Sequence, residues 1–315
     1  MRSGGGRLWA VVLAGGEGTR LRPLVRRVWG EDRPKQYVPL LGPRSLLRQT
    51  LDRVALRVPV SRTVVVTVRA HTAYIAQEFT GASEPPYVLV QPGDRGTAAA
   101  ILHATHWIER RDPDATLAVF PSDHFILGEA TFMARVVDVA LAVEAHPDRV
   151  VLLGAPPTAP ETEYGWIEPG APIDGPAGVL RTVREFWEKP TESRVQVALA
   201  GGCLWNTAVV VARAAALVAL GARALPEMSA RLGRLSAFAD SEEEPAALHQ
   251  AYALMTRASF ARAVLERHPE HLAVSSLPRV TWCDLGNPAR VLAVLARMRV
   301  RPGWADAVDA PAVSA

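Results

Sequence analysis

The sequence LWAVVLAGGEGTRLRPL at residues 8–24 joins an apolar run to a glycine-rich loop and then to arginines. The run at residues 8–14 predicts a buried first strand, and the loop that follows has three glycines within residues 15–18. Glycines expose backbone N–H groups and let the chain pass close to a ligand. Thr19 and Arg20 add a hydroxyl and a guanidinium for phosphate oxygens. The stretch predicts a phosphate-binding loop at a strand end, with a simple tight turn as the alternative.

Two common phosphate-binding loops do not match this stretch. A Walker A loop requires Gly-Lys followed by Ser or Thr, and the glycine-rich segment has no lysine. The dinucleotide-binding fingerprint requires a third glycine at the position of Leu21. The loop therefore indicates a phosphate site of a different kind.

Beyond this loop, short apolar runs alternate with longer helical patterns. The predicted strands are residues 63–68, 87–90, 117–120 and 150–153, and the predicted helices are residues 45–57, 71–79, 97–110 and 130–145. Such an alternation of continuously apolar strands with helices predicts a parallel sheet covered on both faces. Ligands bind to such sheets beyond the carboxyl ends of the strands.

The pattern changes after residue 155. Proline and glycine become frequent, and we predict two antiparallel strands at residues 164–168 and 179–187, followed by a helical region at 213–267. A strand at 272–275, a short apolar segment at 282–284 and a last helix at 288–299 complete the prediction. The apolar stripes of the helical region predict packing on the sheet, with a subunit contact as the alternative. We expect one domain over residues 8–300, a flexible N-terminus at 1–7 and a tail at 301–315.

Composition and charge exclude several classes of protein. The net charge is +3 with a pI near 9.1, and no block of basic residues indicates a nucleic-acid partner. The most apolar later segment, residues 208–220, contains Arg213 and falls short of the roughly 20 residues that span a membrane. Cys203 and Cys283 have neither zinc-site nor disulfide-framework spacing, which fits a reducing cytoplasm. We expect a cytoplasmic protein that binds a small anion.

Lysine is rare in this chain. Of the 35 basic residues, 33 are arginine, and the two lysines are Lys35 and Lys189, in RPKQ at residues 33–36 and FWEKP at residues 186–190. A lysine ammonium is a compact, mobile point charge, whereas a guanidinium is a rigid fork. Both lysines are therefore candidates for contacts with phosphate oxygens, although a surface role is the simpler alternative.

Two aspartates follow short apolar segments at distant places in the chain. Asp123 comes after residues 117–120, and Asp284 follows Trp282 and Cys283. Two carboxylates together with substrate phosphates are a common magnesium arrangement. Each aspartate alone would more simply be a turn or cap residue.

Taken together, these residues resemble the sugar-1-phosphate nucleotidyltransferase family, and most closely its mannose-1-phosphate guanylyltransferase branch. The resemblance covers residues 8–295 and rests on nine motifs in the family's order. They are LAGGEGTRLRPL (13–24), RPKQ (33–36), SLLRQT (45–50), QPGDRGTA (91–98), FPSDH (120–124), YGWI (164–167), FWEKP (186–190), LWNT (204–207) and WCDLG (282–286). It implies an α/β, Rossmann-like nucleotidyltransferase fold with a mixed, mostly parallel sheet covered by helices, plus a helix-rich C-terminal part.

The resemblance also implies roles for individual residues. It divides the domain into a nucleotide-binding half, residues 8–155, and a sugar-phosphate-binding half, residues 156–300. The nucleotide-binding residues would be Leu13, Ala14, Gly15, Gly16, Gly18, Thr19, Gln91, Arg95, Gly96, Thr97 and Ser122. The catalytic residues would be Arg20, Lys35 and Lys189. The sugar phosphate would contact Tyr164, Gly165, Glu188, Lys189 and Asn206, and Asp123 and Asp284 would hold Mg²⁺.

The implied reaction is attack by a mannose 1-phosphate oxygen on the α-phosphorus of GTP. Because that phosphate is already ionised, no general base is required, and we expect His124 to support Asp123 instead. The alternatives are another hexose 1-phosphate or nucleotide, or a non-catalytic paralogue that binds a nucleotide sugar. Residues 30–32 and Ala208, which stands where the family has glycine, depart from the pattern and weaken the case for mannose. A homodimer and a single-function enzyme without an isomerase domain are further expectations.

Overall fold

The computed structural model describes residues 7–174, 180–277 and 280–304. The predicted flexible residues 1–6 and most of the predicted tail, residues 305–315, lie outside this part of the chain. Arg7 is tied to the sheet, because its carbonyl accepts a hydrogen bond of 3.0 Å from the Thr116 N–H. The division of the domain into two binding halves stays a prediction.

Eleven strands are present in the described chain. They are β1 Leu8–Leu13, β2 Thr63–Val68, β3 Tyr87–Gln91, β4 Thr116–Pro121, β5 Phe125–Leu127, β6 Val150–Ala155, β7 Gly165–Pro172, β8 Arg181–Glu188, β9 Leu204–Arg213, β10 Leu272–Ser276 and β11 Thr281–Cys283. Nine of them form one sheet in the order β3-β2-β1-β4-β9-β6-β10-β8-β7, and β5 pairs with β11. All strands of the large sheet run in one direction except β8 and β9, which confirms a mixed, mostly parallel sheet.

The first half of the sheet follows the sequence prediction closely. β1, β2 and β3 pair in parallel, and so do β1 and β4. β2 is buried at every position, because helices cover both of its faces. The carboxyl ends of β1 and β4 therefore lie side by side, which places the glycine-rich loop next to the segment that carries Asp123.

The second half of the sheet contains a strand that the sequence did not reveal. β9 lies between β4 and β6 and is antiparallel to both. Its first residues also pair with β7, through Trp205 opposite Trp166. As a result, Asn206 lies opposite Gly154 of β6 and close to the start of β7.

The described chain contains ten α-helices. They are α1 Arg22–Trp29, α2 Leu46–Ala55, α3 Thr72–Glu78, α4 Gly96–Arg111, α5 Glu129–Ala145, α6 Glu192–Ala200, α7 Ala214–Ala224, α8 Pro226–Arg234, α9 Glu244–Ala253 and α10 Pro288–Met298. One face of the sheet packs against α2, α3, α5 and α6, and the other against α4, α7, α8 and α9. The helical region thus packs in the core, as its apolar stripes predicted. No helix in the described ranges is long and apolar enough to cross a membrane.

A third, smaller core brings two distant helices together. α1 and α10 bury Leu24, Val25, Val291 and Leu295 around Leu285. Leu285 follows Asp284 directly, so this cluster fixes the segment after β11 against the helix that follows the glycine-rich loop. The packing determines where Asp284 lies.

Candidate active site

The carbonyls of the glycine-rich loop accept hydrogen bonds from neighbouring side chains, whereas its N–H groups are open. Gln36 Nε2 donates hydrogen bonds to the carbonyls of Ala14 (3.0 Å) and Gly16 (2.8 Å), and the Tyr37 hydroxyl donates to Ala14 (2.9 Å). Within the described residues, the N–H groups of residues 15–18 have no hydrogen-bond partner. A loop with fixed carbonyls and open N–H groups is suited to bind an anion.

Gly18 allows this loop to pack on Lys35. Its φ is +59°, in the left-handed region that favours glycine. A Cβ at this position would lie 3.2 Å from both the backbone N and the Cγ of Lys35. The loop and the stem of Lys35 are therefore in direct contact.

Lys35 joins the two predicted magnesium ligands. Its side chain is buried, with the residue 8% exposed, and its ammonium lies 3.2 Å from Asp123 Oδ2. The same ammonium donates to the backbone carbonyls of Asp284 (2.8 Å) and Leu285 (3.2 Å). The structure thus brings together Lys35, Asp123 and Asp284, the first and last of which are 249 positions apart in the sequence.

Arg290, on α10, holds the carboxylate of Asp284 in place. Its Nη1 donates to Asp284 Oδ1 at 2.9 Å, and its Nη2 lies 2.6 Å from Glu161 and 3.0 Å from Glu163. The guanidinium also stacks over the Tyr164 ring, 4.4 Å from its centroid. Sequence reasoning missed Arg290, which was one arginine among many.

Asp284 Oδ1 and Oδ2 have different surroundings. Oδ1 accepts hydrogen bonds from Arg290, the Tyr164 hydroxyl (3.2 Å) and the Gly286 N–H (2.8 Å). Within the described ranges, the ion-pair partner of Oδ2 is Arg20 Nη2, at 3.9 Å. Burial alone would raise the pKa of Asp284, but electrostatic interactions with His124, Arg290 and Lys35 hold it below its ordinary value.

Asp123 and Asp284 fit a magnesium site that is completed by a substrate. The Asp123 carboxylate contacts the Lys35 ammonium, Arg290 holds the Asp284 carboxylate, and Asp284 Oδ2 is available for a cation. No cluster of three His, Cys, Asp or Glu side chains that could hold a metal occurs in the described residues. Mg²⁺ typically binds one or two carboxylates together with substrate phosphates and water.

His124 lies between Asp123 and Trp282 and contacts both side chains. Its Nδ1 accepts a hydrogen bond of 3.1 Å from Trp282 Nε1, and its Nε2 lies 3.8 Å from Asp123 Oδ1. Burial lowers the pKa of His124, which favours the neutral ring. The ring connects Asp123 to the short β5–β11 pair.

Gly165, Glu188 and Asn206 form one wall. A Cβ on Gly165 would lie 3.0 Å from Glu188 Oε2 and 3.1 Å from Asn206 Cβ, so no side chain fits there without movement. Burial raises the pKa of Glu188, and the charges of Lys189 and Arg262 oppose this rise. Tyr164 precedes this wall, but its hydroxyl contacts Asp284 instead.

Lys189 stands at the edge of this wall. Its φ is +56°, an unusual value for a residue with a side chain, and its N–H donates to the Tyr164 carbonyl at 3.2 Å. The residue is exposed, and its ammonium has no hydrogen bond or ion pair to any residue in the described ranges. Unlike that of Lys35, this charge is available to an incoming anion.

Arg20 lies at the loop end and is half exposed. Its Nη1 donates to Glu163 Oε1 at 2.6 Å, and its Nη2 faces Asp284. Glu163 is shared with Arg290 and accepts a 3.4 Å hydrogen bond from Asn287. Arg20 therefore belongs to the same charge network as Asp284.

The predicted purine segment is anchored by the C-terminal helical region. Gln91 Oε1 accepts from the Tyr252 hydroxyl at 3.2 Å, and Arg95 Nε donates to the Tyr252 carbonyl at 2.7 Å. Thr97 Oγ1 accepts from the Phe260 N–H at 2.9 Å. The side chains of Arg95 and Thr97 thus have structural partners. The buried Gln91 amide lies close to the loop, since its Nε2 would be 3.4 Å from a Cβ on Gly15.

Three further predicted nucleotide-binding residues, Leu13, Ala14 and Ser122, lie where the strands meet the loop. The Ser122 N–H donates to the Leu13 carbonyl at 3.2 Å, and the Ser122 carbonyl accepts from the Thr50 hydroxyl at 3.2 Å. Ala14 donates its N–H to the Val66 carbonyl at 2.7 Å. Their role in nucleotide binding stays a prediction.

The sequence profile of the family described as nucleotidyl transferase matches residues 9–299. The chain belongs to the nucleotidyl transferase family. The match spans both the loop of β1 and the Asp284 segment, which the structure places side by side.

Named relatives of this nucleotidyl transferase are longer than the chain. The chain is 38% identical over 206 residues to the xanthan biosynthesis protein XanB of Xanthomonas campestris pv. campestris, and the match covers 65% of this chain and 42% of that protein. It is 28% identical over 284 residues to a mannose-1-phosphate guanylyltransferase of Klebsiella pneumoniae, covering 89% and 58%. The chain thus spans about half the length of the curated relatives it matches.

A solved structure from Thermus thermophilus, described as mannose-1-phosphate geranyltransferase, has a similar fold. It shares 30% sequence identity with this nucleotidyl transferase and superposes with a TM-score of 0.77, covering 94% of this chain and 80% of that chain. The similarity confirms the Rossmann-like α/β fold that the sequence predicted.

Proposed function

We propose that this nucleotidyl transferase makes GDP-mannose and pyrophosphate from GTP and mannose 1-phosphate, with Mg²⁺ as its cofactor. The observation that carries the proposal is the convergence of Lys35, Asp123 and Asp284 beside the open N–H groups of the glycine-rich loop. Phosphoryl-type transfer depends on positioning and on neutralising charge, which this constellation supplies.

The nucleotide is proposed to lie on the loop of residues 15–18. The open N–H groups there would bind phosphate oxygens, with Arg20 and Lys35 near the two phosphates that leave as pyrophosphate. Gln91 would contact the purine, and its burial next to Gly15 supports this assignment. Asp123 and Asp284 would hold Mg²⁺, which when bound neutralises charge on the transferring phosphoryl group.

The sugar phosphate is proposed to bind between the Gly165 wall and Lys189. The Glu188 carboxylate and the Asn206 amide are suited to accept and donate hydrogen bonds to sugar hydroxyls. Lys189 carries an unpaired ammonium at the edge of that wall, within the described chain, and would bind the sugar phosphate.

In the proposed reaction an oxygen of the sugar phosphate attacks the α-phosphorus of GTP, and the bond from that phosphorus to the β-phosphate bridging oxygen breaks. The attacking oxygen is already ionised at neutral pH, so no side chain must remove a proton. The protein's contribution is to hold two mutually repelling anions in line. Lys189 and Lys35 would neutralise charge on opposite sides of the transfer.

The choice of mannose and guanine rests on the relatives. The Klebsiella pneumoniae protein is named for this reaction, and the motifs of the chain match that branch of the family. Ala208 stands two residues after Asn206 and departs from the family pattern, so the sugar is the first element to test.

The test is pyrophosphate release measured for each pair from a set of nucleoside triphosphates and a set of hexose 1-phosphates, with Mg²⁺ present. The proposal predicts the highest kcat/KM for GTP with mannose 1-phosphate. Faster turnover with another pair would identify other substrates for the same type of reaction. Binding of nucleotide sugar without turnover of any pair would instead indicate a regulatory paralogue.

A further inference from the structure

The Lys35 ammonium has no donor left for a phosphate in this structure. An ammonium has three N–H donors. Three oxygens surround it, namely Asp123 Oδ2 at 3.2 Å, the Asp284 carbonyl at 2.8 Å and the Leu285 carbonyl at 3.2 Å. Lys35 must leave at least one of these oxygens before it can contact a triphosphate.

The oxygen that Lys35 holds on Asp123 is also one that a metal would use. Asp123 Oδ1 is turned toward His124 Nε2, 3.8 Å away, and Oδ2 faces the ammonium. The Asp284 carbonyl accepts from the same ammonium, and Asp284 Oδ2 accepts no hydrogen bond within the described residues, with Arg20 Nη2 3.9 Å away. A divalent cation between the two carboxylates would therefore lie next to a buried positive charge, and like charges at short range repel strongly where water is excluded.

We propose that the Lys35 ammonium and the divalent cation compete for the Asp123 carboxylate, and that the triphosphate relieves this competition by drawing Lys35 away. The proposal rests on the proposed function, because it takes Asp123 and Asp284 as metal ligands. It makes Lys35 a gate on metal binding as well as a contact for the leaving phosphates.

The surroundings of Lys35 make such a movement feasible. Its stem packs against Gly18, so the backbone and the first carbons are anchored while the ammonium is the mobile end. The open N–H groups of residues 15–18 lie on the same loop and would place phosphate oxygens next to that stem. A triphosphate on the loop thus offers the ammonium new negative partners at a short distance.

The experiment is a titration of the nucleotide-free full-length chain with Mn²⁺, followed by the EPR signal of free Mn²⁺, at one pH and ionic strength. Wild type should bind weakly, and Lys35→Met should bind at least about tenfold more tightly because the competing charge is gone. Lys35→Gln keeps a donor for the carbonyls of Asp284 and Leu285, and it should show the same gain if Lys35→Met does not fold. The double variant Lys35→Met/Asp123→Asn should lose the gain.

Lys189→Met is the matched control, since it removes the other lysine, which contacts neither aspartate within the described chain. It should bind Mn²⁺ as wild type does. If wild type and both Lys35 variants bind Mn²⁺ with equal affinity, and wild type releases pyrophosphate from GTP with mannose 1-phosphate, the gate alone is overturned. No Mn²⁺ binding to any variant, together with no pyrophosphate release, overturns the gate and the proposed function together.

Discussion

Arg290 binds Asp284 Oδ1 at 2.9 Å and has Glu161 and Glu163 on its other nitrogen, at 2.6 Å and 3.0 Å. One guanidinium thus positions the carboxylate that is proposed to hold Mg²⁺ and ties it to the loop that precedes β7. A lysine offers a single point charge and cannot reproduce this forked arrangement.

Arg290→Lys should therefore reduce kcat about tenfold or more, equivalent to roughly 1.4 kcal/mol of lost transition-state stabilisation. The variant should also need more Mg²⁺ for half-maximal rate, a shift that a purely structural role would not produce. Arg297→Lys is the control, because Arg297 lies two turns further along α10, is exposed and has no ion pair within the described residues. Equal loss in both variants would show that α10, and not the Asp284 contact, is responsible.

Gly165→Ala tests the proposed sugar wall. The new Cβ would lie 3.0 Å from Glu188 Oε2 and 3.1 Å from Asn206 Cβ, so one of these side chains must move. We expect the KM for mannose 1-phosphate to rise by about tenfold while the KM for GTP changes little. Gly42→Ala, at a position with nothing within 4 Å of the added Cβ, should leave both constants unchanged. A rise in the KM for GTP alone would contradict the assignment of this wall to the sugar.

Ala208→Gly should stabilise the protein. Ala208 has φ +58°, a left-handed conformation that costs a residue with a Cβ roughly 1 kcal/mol. We expect the free energy of unfolding to rise by up to about 1 kcal/mol, measured by urea denaturation, because glycine relieves this strain but gains freedom in the unfolded chain. Ala219→Gly, on the exposed side of α7, should change it by a similar amount in the opposite direction. A loss of stability in both variants would show that Ala208 is not strained.

His103 should make the fold sensitive to acid. Burial lowers the pKa of His103 from 6.5 to about 4, and its Nδ1 lies 3.2 Å from the Tyr252 hydroxyl. As the pH falls below 6.5, the unfolded chain takes up a proton that the folded chain does not, so stability is lost between pH 6.5 and 4. The loss is limited to about 3 kcal/mol, since each pKa unit corresponds to about 1.36 kcal/mol.

His103→Gln should flatten this dependence, followed as the free energy of unfolding at several pH values. His249→Gln is the control, because His249 is exposed on α9. The account of His103 fails if the two variants lose stability with acid as steeply as wild type.

The sequence predicted the first half of the sheet well because β1, β2 and β4 are buried almost throughout. β2 was predicted with its observed bounds, since six consecutive apolar or β-branched residues lie between Arg62 and Arg69. β9 was missed because its apolar residues continue into α7, and a single apolar run does not reveal where strand ends and helix begins. α1 was missed because its arginines hide the two residues, Leu24 and Val25, that face the core.

Part of the candidate site could be predicted because some of its residues lie in local motifs. Motifs that end strands, such as the segment with Asp123, reveal their chemistry locally. Arg290 gave no such signal, because its partners Glu161 and Glu163 lie more than a hundred residues away and only the fold brings them near. The engagement of Arg95 and Thr97 by Tyr252 and Phe260 likewise depends on how the helical region packs.

The central claim is that a sugar phosphate attacks the α-phosphorus of GTP in this site. It is tested most directly by incubating the protein with mannose 1-phosphate, Mg²⁺ and GTP labelled with ³²P at either the α or the γ position. The account predicts that the α label moves into a nucleotide sugar, the γ label appears in pyrophosphate, and Asp284→Asn abolishes both transfers. Appearance of the γ label on the sugar, or no transfer from either position, would contradict it.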